Sequence, residues 1–179
     1  MVRMEQPEVA VDGHVHGKLQ IGAGGLWLPR KVKAMQLIPT DFGWLLRMDE
    51  GRIKHIGVDF RLVLLFGDKT ETASLCIETP CYIRSEGKNT RLVPDAPSTL
   101  APALTLFNAE ITDISILKTG YLTAKFKDGR SLEIEPNEQY EAWQVSSTNG
   151  FLLVCSPGGE IAMFHQPSSK VSSNVQGSR

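Results

Sequence analysis

The clearest pattern in the chain is the alternation of apolar and polar positions between residues 121 and 136. Its apolar positions form two short rows: Leu122, Ala124 and Phe126, then Leu132 and Ile134. A period of two residues is that of a half-buried strand, so the pattern predicts a β-hairpin. The two rows share one face only if the loop has three residues, Lys127-Asp128-Gly129, and Gly129 suits this loop because glycine adopts positive φ without steric cost.

An earlier stretch of the chain carries a similar pattern. Three apolar segments occur twice in the same order, first at 53–58, 62–66 and 75–80, then at 111–116, 122–126 and 132–136. Three elements in one order at a nearly constant offset predict a duplicated three-strand meander. The first copy is the more apolar of the two, which indicates that its middle strand lies at the centre of the sheet.

The rest of the central region predicts a hairpin and one helix. Residues 143–145 and 153–155 alternate in the same way across Thr148-Asn149-Gly150, and a further strand follows from Ile161. Residues 97–108 are typical of a short helix with an apolar face made by Leu100, Leu104 and Phe107. We therefore expect a mainly β fold of about eight strands. Its two meanders and C-terminal hairpin form a rolled sheet or a small barrel, because rolling hides strand edges.

The pattern divides the chain into three parts. Residues 42–165 form a single β-rich domain, and residues 166–179 are a polar, Ser-rich tail that is predicted to be disordered. Residues 1–41 are an N-terminal extension separate from the core pattern. An extra hairpin, an arm docked on a partner subunit and a loosely ordered leader all fit that extension.

Composition and charge describe an ordinary globular chain. Of its 179 residues, 41% are hydrophobic and 22% are charged, and the net charge is −1. This charge favours neither nucleic acid nor a membrane surface, and no segment is apolar for long enough to span a bilayer. Three cysteines are an odd number for a disulfide framework, so we expect free thiols and a cytoplasmic setting.

Several short motifs support a family resemblance. Ile77-Glu-Thr-Pro80, Tyr140-Glu-Ala-Trp143 and Pro157-Gly-Gly-Glu160 occur in this order, and the last two are the most specific. The region from Phe42 to Phe164 resembles a family of small bacterial domains of unknown function that are frequent in actinobacteria. This resemblance implies an accessory protein similar to immunity or regulatory proteins, and it implies no catalytic residues.

Candidate chemistry is sparse. His14 and His16 have the spacing of a metal-binding pair on one strand face, but no further ligand motif accompanies them, so we expect neither a metal site nor a cofactor. No histidine lies close in sequence to any of the three cysteines, which favours structural thiols over catalytic ones. The best candidates for an interaction face cluster at the end of the second meander and just beyond it: Glu133, Glu135, Glu138, Tyr140, Glu141 and Trp143.

Two functional hypotheses remain. The first is a non-catalytic interaction protein that uses the Glu-rich residues or the long loop of residues 67–74 to bind a protein partner. The second is a small-molecule-binding or enzymatic domain with a pocket inside the rolled sheet near Tyr140, Trp143 and Cys155. A homodimer formed through an edge strand or the N-terminal extension is compatible with both hypotheses.

Overall fold

A computed structural model of the protein describes residues 35–68 and 71–165, with residues 49, 50 and 165 described by their backbone alone. Within these ranges twelve antiparallel strands join in one sheet. They are β1 (Met35–Thr40), β2 (Gly43–Val58), β3 (Leu62–Gly67), β4 (Thr72–Ile77), β5 (Cys81–Ser85), β6 (Lys88–Leu92), β7 (Glu110–Leu117), β8 (Leu122–Phe126), β9 (Ser131–Ile134), β10 (Trp143–Ser147), β11 (Phe151–Cys155) and β12 (Ile161–His165).

The mainly β prediction is confirmed, although the strand count is higher than expected. The hairpin of β5 and β6 gave little sequence signal because most of β6 is polar. Strand β1 was also not foreseen. It pairs with the first part of β2 along its whole length, so the sheet includes residues that lie before the predicted domain boundary at residue 42. The predictions for residues 1–34 and 166–179, including His14 and His16, lie outside the described residues.

The strands follow the order β12-β11-β10-β4-β3-β2-β7-β8-β9-β5-β6, and β1 lies beside β3 along the same edge of β2. The sheet is open, because β12 and β6 lie at its two ends and do not pair with each other. Of the two predicted architectures, the rolled sheet is therefore correct and the closed barrel is not formed.

The sheet rolls because its strands bury the same face. Inner rows from all parts of the sheet form one buried cluster, which includes Leu46, Leu64, Leu75, Ile114, Leu122, Leu132, Trp143 and Leu153. A hydrogen bond of 2.8 Å from Trp143 Nε1 to the Gly120 carbonyl joins β10 to the β7–β8 turn, although β4, β3 and β2 lie between β10 and β7 in the strand order. The core is thus made by the sheet folding over itself.

The register predicted for the central hairpin is confirmed. Ala124 pairs with Leu132 and Leu122 pairs with Ile134, as the three-residue loop requires. Gly129 has φ of 87°. The C-terminal hairpin also has its predicted register, since Trp143 pairs with Cys155.

The predicted helix at residues 97–108 consists of two short 3-10 segments, Pro97–Thr99 and Ala101–Leu106. A 3-10 helix has three residues per turn, so its buried positions recur every third residue. The buried residues are accordingly Leu100, Ala103 and Leu106, whereas Leu104 and Phe107 are exposed. The predicted apolar face was therefore wrong in two of its three positions.

The strand pairing divides the sheet into two matching halves, β2–β6 and β7–β11. Strand β2 pairs with β7 at the centre, and each half sends its last hairpin across to the other half, so that β5 pairs with β9 and β10 pairs with β4. The registers match as well, since Ile77 pairs with Trp143 as Ile134 pairs with Cys81. Each half also has a bulge one residue after an isoleucine, Ile53 or Ile111.

The two halves differ at the junction between two turns. One is the turn after the first strand of the half, and the other is the turn that follows its last hairpin. In the second half, the β7–β8 turn contacts the turn at Pro157–Gly159 through two glycines of positive φ, Gly120 at 85° and Gly159 at 90°. A Cβ atom on Gly120 would lie 2.7 Å from the Gly159 Cα and 2.8 Å from the Cys155 Sγ. Two backbones can approach this closely only without side chains, so the junction is closed by glycine.

In the first half, the corresponding turns carry side chains. The amide of Ala96 donates to the Val93 carbonyl as the amide of Gly159 donates to the Ser156 carbonyl, so Ala96 takes the place of Gly159. The β2–β3 turn has three residues between Val58 and Leu62, where the β7–β8 turn has five, and Phe60, at φ of 60°, is its residue of positive φ as Gly120 is that of the longer turn. The first half has no glycine at either position, and its junction stays open.

The glycine junction is tested by comparing two alanine variants. Gly120 and Gly129 have nearly equal φ angles, but a Cβ atom on Gly129 would meet nothing within 4 Å. We expect Gly129→Ala to lower the free energy of unfolding by about 1 kcal/mol through backbone strain alone. Gly120→Ala should cost about 2 kcal/mol more because of the added steric overlap. Urea unfolding measures both, and equal losses would contradict a close-packed junction.

Candidate functional site

The Glu-rich residues predicted as an interaction face do not act as one group. Glu133 lies on β9 beside β5, where it forms an ion pair with Arg84 and accepts a hydrogen bond of 2.7 Å from the Tyr121 hydroxyl. Glu135, Glu138 and Glu141 are exposed. The most buried of these carboxylates is thus already satisfied by Arg84 of β5 and Tyr121 of the β7–β8 turn.

The electrostatics of Glu133 follow from these contacts. Burial by itself would raise the pKa of Glu133, but the hydrogen bonds from Tyr121 and Arg84 outweigh burial and hold that pKa below its ordinary value. Burial, together with the hydrogen bond to Glu133, raises the pKa of Tyr121 to about 12. Tyr121 therefore stays protonated and Glu133 ionised at neutral pH, which is a stabilising arrangement.

The two aromatic residues of the predicted face separate completely. Trp143 is 1% exposed and belongs to the core, because its row on β10 faces the inside of the roll. Tyr140 is 41% exposed and lies in the connection from β9 to β10. A pocket was expected inside the sheet near Tyr140, Trp143 and Cys155. The structure does not bring these residues together around a pocket, since Trp143 and Cys155 are packed in the core and Tyr140 lies on the outside.

Tyr140 lines a cleft of about 720 Å³ on the outside of the sheet. The other lining residues come from three separate segments of the first half: Asp59, Phe60 and Arg61 from the β2–β3 turn, Glu78 from the end of β4 and Asp95 from the turn after β6. The cleft lies at the open junction between the β2–β3 turn and the turn after β6. We refer to these six residues as the junction cleft.

Local hydrogen bonds position the walls of the junction cleft. The amide of Glu78 donates to the Ala142 carbonyl at 2.9 Å, which holds the end of β4 beside the β9–β10 connection. The side chain of Asn137 accepts from the amides of Gln139 and Tyr140, and so orders the turn that carries Tyr140. The cleft is therefore built on ordered backbone at the ends of strands.

Phe60 is the most unusual residue of the cleft. Its φ of 60° is a left-handed conformation that bulky side chains rarely adopt, and its side chain is 86% exposed. The turn requires this backbone conformation, since three residues connect the paired Val58 and Leu62. A phenylalanine here costs strain without contributing to the core, and strain of this kind is concentrated at functional sites.

The cleft carries an excess of negative charge. Its three carboxylates, from Asp59, Glu78 and Asp95, face a single cation, Arg61. Arg61 forms an ion pair with Asp59 at 3.0 Å, and this hydrogen bond holds the pKa of Asp59 below its ordinary value. Within the described part of the chain, Glu78 and Asp95 form no ion pair.

Other reactive groups in the described residues have structural surroundings. Cys81 is buried, and burial raises its thiol pKa to about 12; burial also raises the pKa of Cys155. These thiols are protonated at neutral pH, so they are poor nucleophiles. No group of three or more His, Cys, Asp or Glu side chains in residues 35–68 and 71–165 is arranged to hold a metal ion.

Sequence reasoning missed five of the six cleft residues and found Tyr140 for a different reason. One signal was available. Asp59-Phe60-Arg61 interrupts two apolar rows in the position of a tight turn, where Gly, Asn or Asp is usual and phenylalanine is not. The contributions of Glu78 and Asp95 depend on the crossed hairpins, which the sequence pattern did not reveal.

The fold and the cleft define a class of protein: an open, rolled antiparallel sheet with an acidic, aromatic-lined cleft outside its core. The chain belongs to the family of unknown function DUF6188, whose model matches residues 44–165. Comparisons with curated proteins and with solved structures find no match. No helix in the described ranges is long and apolar enough to cross a membrane.

The contact of Glu133 with Tyr121 and Arg84 predicts a pH dependence of stability. Since the folded-state pKa of Glu133 is lowered, its contribution is present above the ordinary value of 4.5 and is lost as the pH falls through the folded-state pKa. Glu133→Gln should lower the free energy of unfolding by about 1 kcal/mol at pH 7, and the difference from the wild type should shrink in acid. Urea unfolding between pH 3 and pH 7 measures this difference. The exposed Glu138→Gln serves as the control, and a difference for Glu133→Gln that does not change with pH would contradict the assignment.

Proposed function

We propose that the protein is a non-catalytic interaction protein whose junction cleft receives a side chain of a protein partner. The observation that carries this proposal is the exposed, strained Phe60 beside Tyr140. Aromatic residues are enriched among the residues that contribute most to protein–protein binding. A bulky residue that costs backbone strain and packs on little else is best explained by a contact made with another molecule.

Two buried thiols and one engaged carboxylate in the described residues support a binding role rather than a catalytic one. The thiols of Cys81 and Cys155 have raised pKa values, and the carboxylate of Glu133 is engaged by Arg84 and Tyr121. The odd number of cysteines supports a reducing, cytoplasmic setting. An immunity-like or regulatory role, implied by the resemblance to bacterial domains, and a homodimer both stay predictions.

The matched halves of the sheet support a second part of the proposal, that the domain arose by duplication. The equal registers and the paired bulges extend the predicted three-strand repeat to five strands. A profile comparison of the two halves across members of the family tests this idea. Halves that align with Ile53 on Ile111 and Ile77 on Ile134 would support duplication, and halves without detectable similarity would contradict it.

The interaction proposal is tested with Phe60→Gly, which removes the ring and keeps the backbone conformation. Relief of strain worth about 1–2 kcal/mol is opposed by a glycine entropy cost of about 0.5–1 kcal/mol, so stability should change by at most about 1.5 kcal/mol. The exposed Phe107→Ala, outside the cleft, is the matched control.

The measurement has two steps. Proteins captured by the wild-type chain from its native lysate are compared with those captured by the two variants, and a partner lost only with Phe60→Gly is purified. Calorimetry then measures its dissociation constant, which should rise at least tenfold for Phe60→Gly and stay within twofold for Phe107→Ala. Failure of the wild type to capture a partner, or equal binding by Phe60→Gly, would contradict the proposal.

A further inference from the structure

The junction cleft combines aromatic rings with uncompensated negative charge, and this combination selects a particular kind of ligand. From it we infer that the group received by the cleft is a cationic side chain, an arginine guanidinium or a lysine ammonium of the partner protein. This inference rests on the proposed function and names the chemistry of the partner at that same site.

The charges in the cleft are already partly assigned. Asp59 is engaged by Arg61 through two hydrogen bonds, from Nε at 3.2 Å and from Nη2 at 3.0 Å. Glu78 and Asp95 form no ion pair in the described part of the chain, although Glu78 interacts electrostatically with Arg61. An entering cation would offset one of the two excess negative charges of the cleft, whereas an entering anion would meet three carboxylates.

The aromatic rings favour the same ligand. The face of an aromatic ring attracts a cation, and this attraction adds to that of nearby carboxylates. The chain already contains one such contact, since the guanidinium of Arg130 lies 5.8 Å from the centroid of the Phe126 ring. Phe60 and Tyr140 are both exposed and both line the cleft, so their rings are accessible to a ligand from outside.

The second half of the sheet shows what a filled junction looks like. There the β7–β8 turn meets Gly159 directly, and the Gly120 carbonyl accepts from Trp143. In the first half the shorter β2–β3 turn carries Phe60, Ala96 stands in place of Gly159, and the space between the turns is the cleft. An extended side chain from another molecule, with a charged end, suits this space better than a second piece of folded backbone.

The test uses the full ¹⁵N-labelled chain and three capped tripeptides, N-acetyl-Gly-X-Gly-amide, in which X is arginine, lysine or citrulline. Citrulline has nearly the shape of arginine and no charge. We expect the arginine and lysine peptides to shift the amide resonances of residues 59–61, 78 and 140, and to bind at least fivefold more tightly than the citrulline peptide. Raising the salt concentration should weaken the binding of the two charged peptides, because salt screens their attraction to the carboxylates.

Two variants locate the charge that is responsible. Glu78→Gln and Asp95→Asn should each raise the dissociation constant of the arginine peptide at least threefold. The matched control is Glu135→Gln, because Glu135 follows Ile134 on β9 as Glu78 follows Ile77 on β4. Spermidine, a free polyamine, forms a separate arm, and preferential binding of spermidine over both peptides would assign the site to a free amine and overturn the side-chain inference.

The outcomes distinguish failure of the cationic ligand from failure of the proposed interaction function. Equal binding of the citrulline and arginine peptides, or no shift at the cleft with any peptide, overturns the cationic ligand. The interaction function still stands in that case if capture of the partner depends on Phe60. If capture does not depend on Phe60, the proposed function itself fails, whatever the peptides do.

Discussion

The structure depends on one constraint, which is that a single antiparallel sheet must bury its own inner face. In the described ranges there is no second sheet and no long helix to cover that face, so the inner rows of β2, β4, β7 and β10 pack on one another across the roll. The hydrogen bond from Trp143 to the Gly120 carbonyl is buried in the core that this packing forms. Rolling brings the β7–β8 turn against β10, although three strands lie between β10 and β7 in the strand order.

Rolling also creates two corresponding junctions, of which one is closed and the other is open. Gly120 and Gly159 lack Cβ atoms, so their turns approach to a distance that a methyl group would prevent. In the first half the β2–β3 turn is two residues shorter than the β7–β8 turn, Phe60 and Ala96 carry side chains, and the space between the turns is a cleft. The lining of that cleft by carboxylates and rings then follows from which residues stand at the ends of β4 and β6 and before β10. One topological feature thus provides both a stabilising contact and a candidate binding site.

Local patterns were reliable wherever the structure depends on neighbours in sequence. The three-residue loop ending at Gly129 followed from parity alone, because a slip of one residue would have exposed the apolar row. The segment at residues 97–108 was misjudged, since spacing favoured an α-helical face while the chain adopts 3-10 segments that bury every third residue. A short apolar segment does not determine which of the two periods it will follow, and its contacts with β2 and β6 decide.

The sequence by itself determined the mainly β class, the hairpin registers and the family resemblance, because each depends on alternation or on short motifs. Only the tertiary structure decided that the last hairpin of each half crosses to the other half, since strand pairing over long separations leaves no local pattern. The candidate site depends on that crossing. Tyr140 comes beside Phe60 because β10 pairs with β4, and Trp143, three residues later, is drawn into the core by the same pairing.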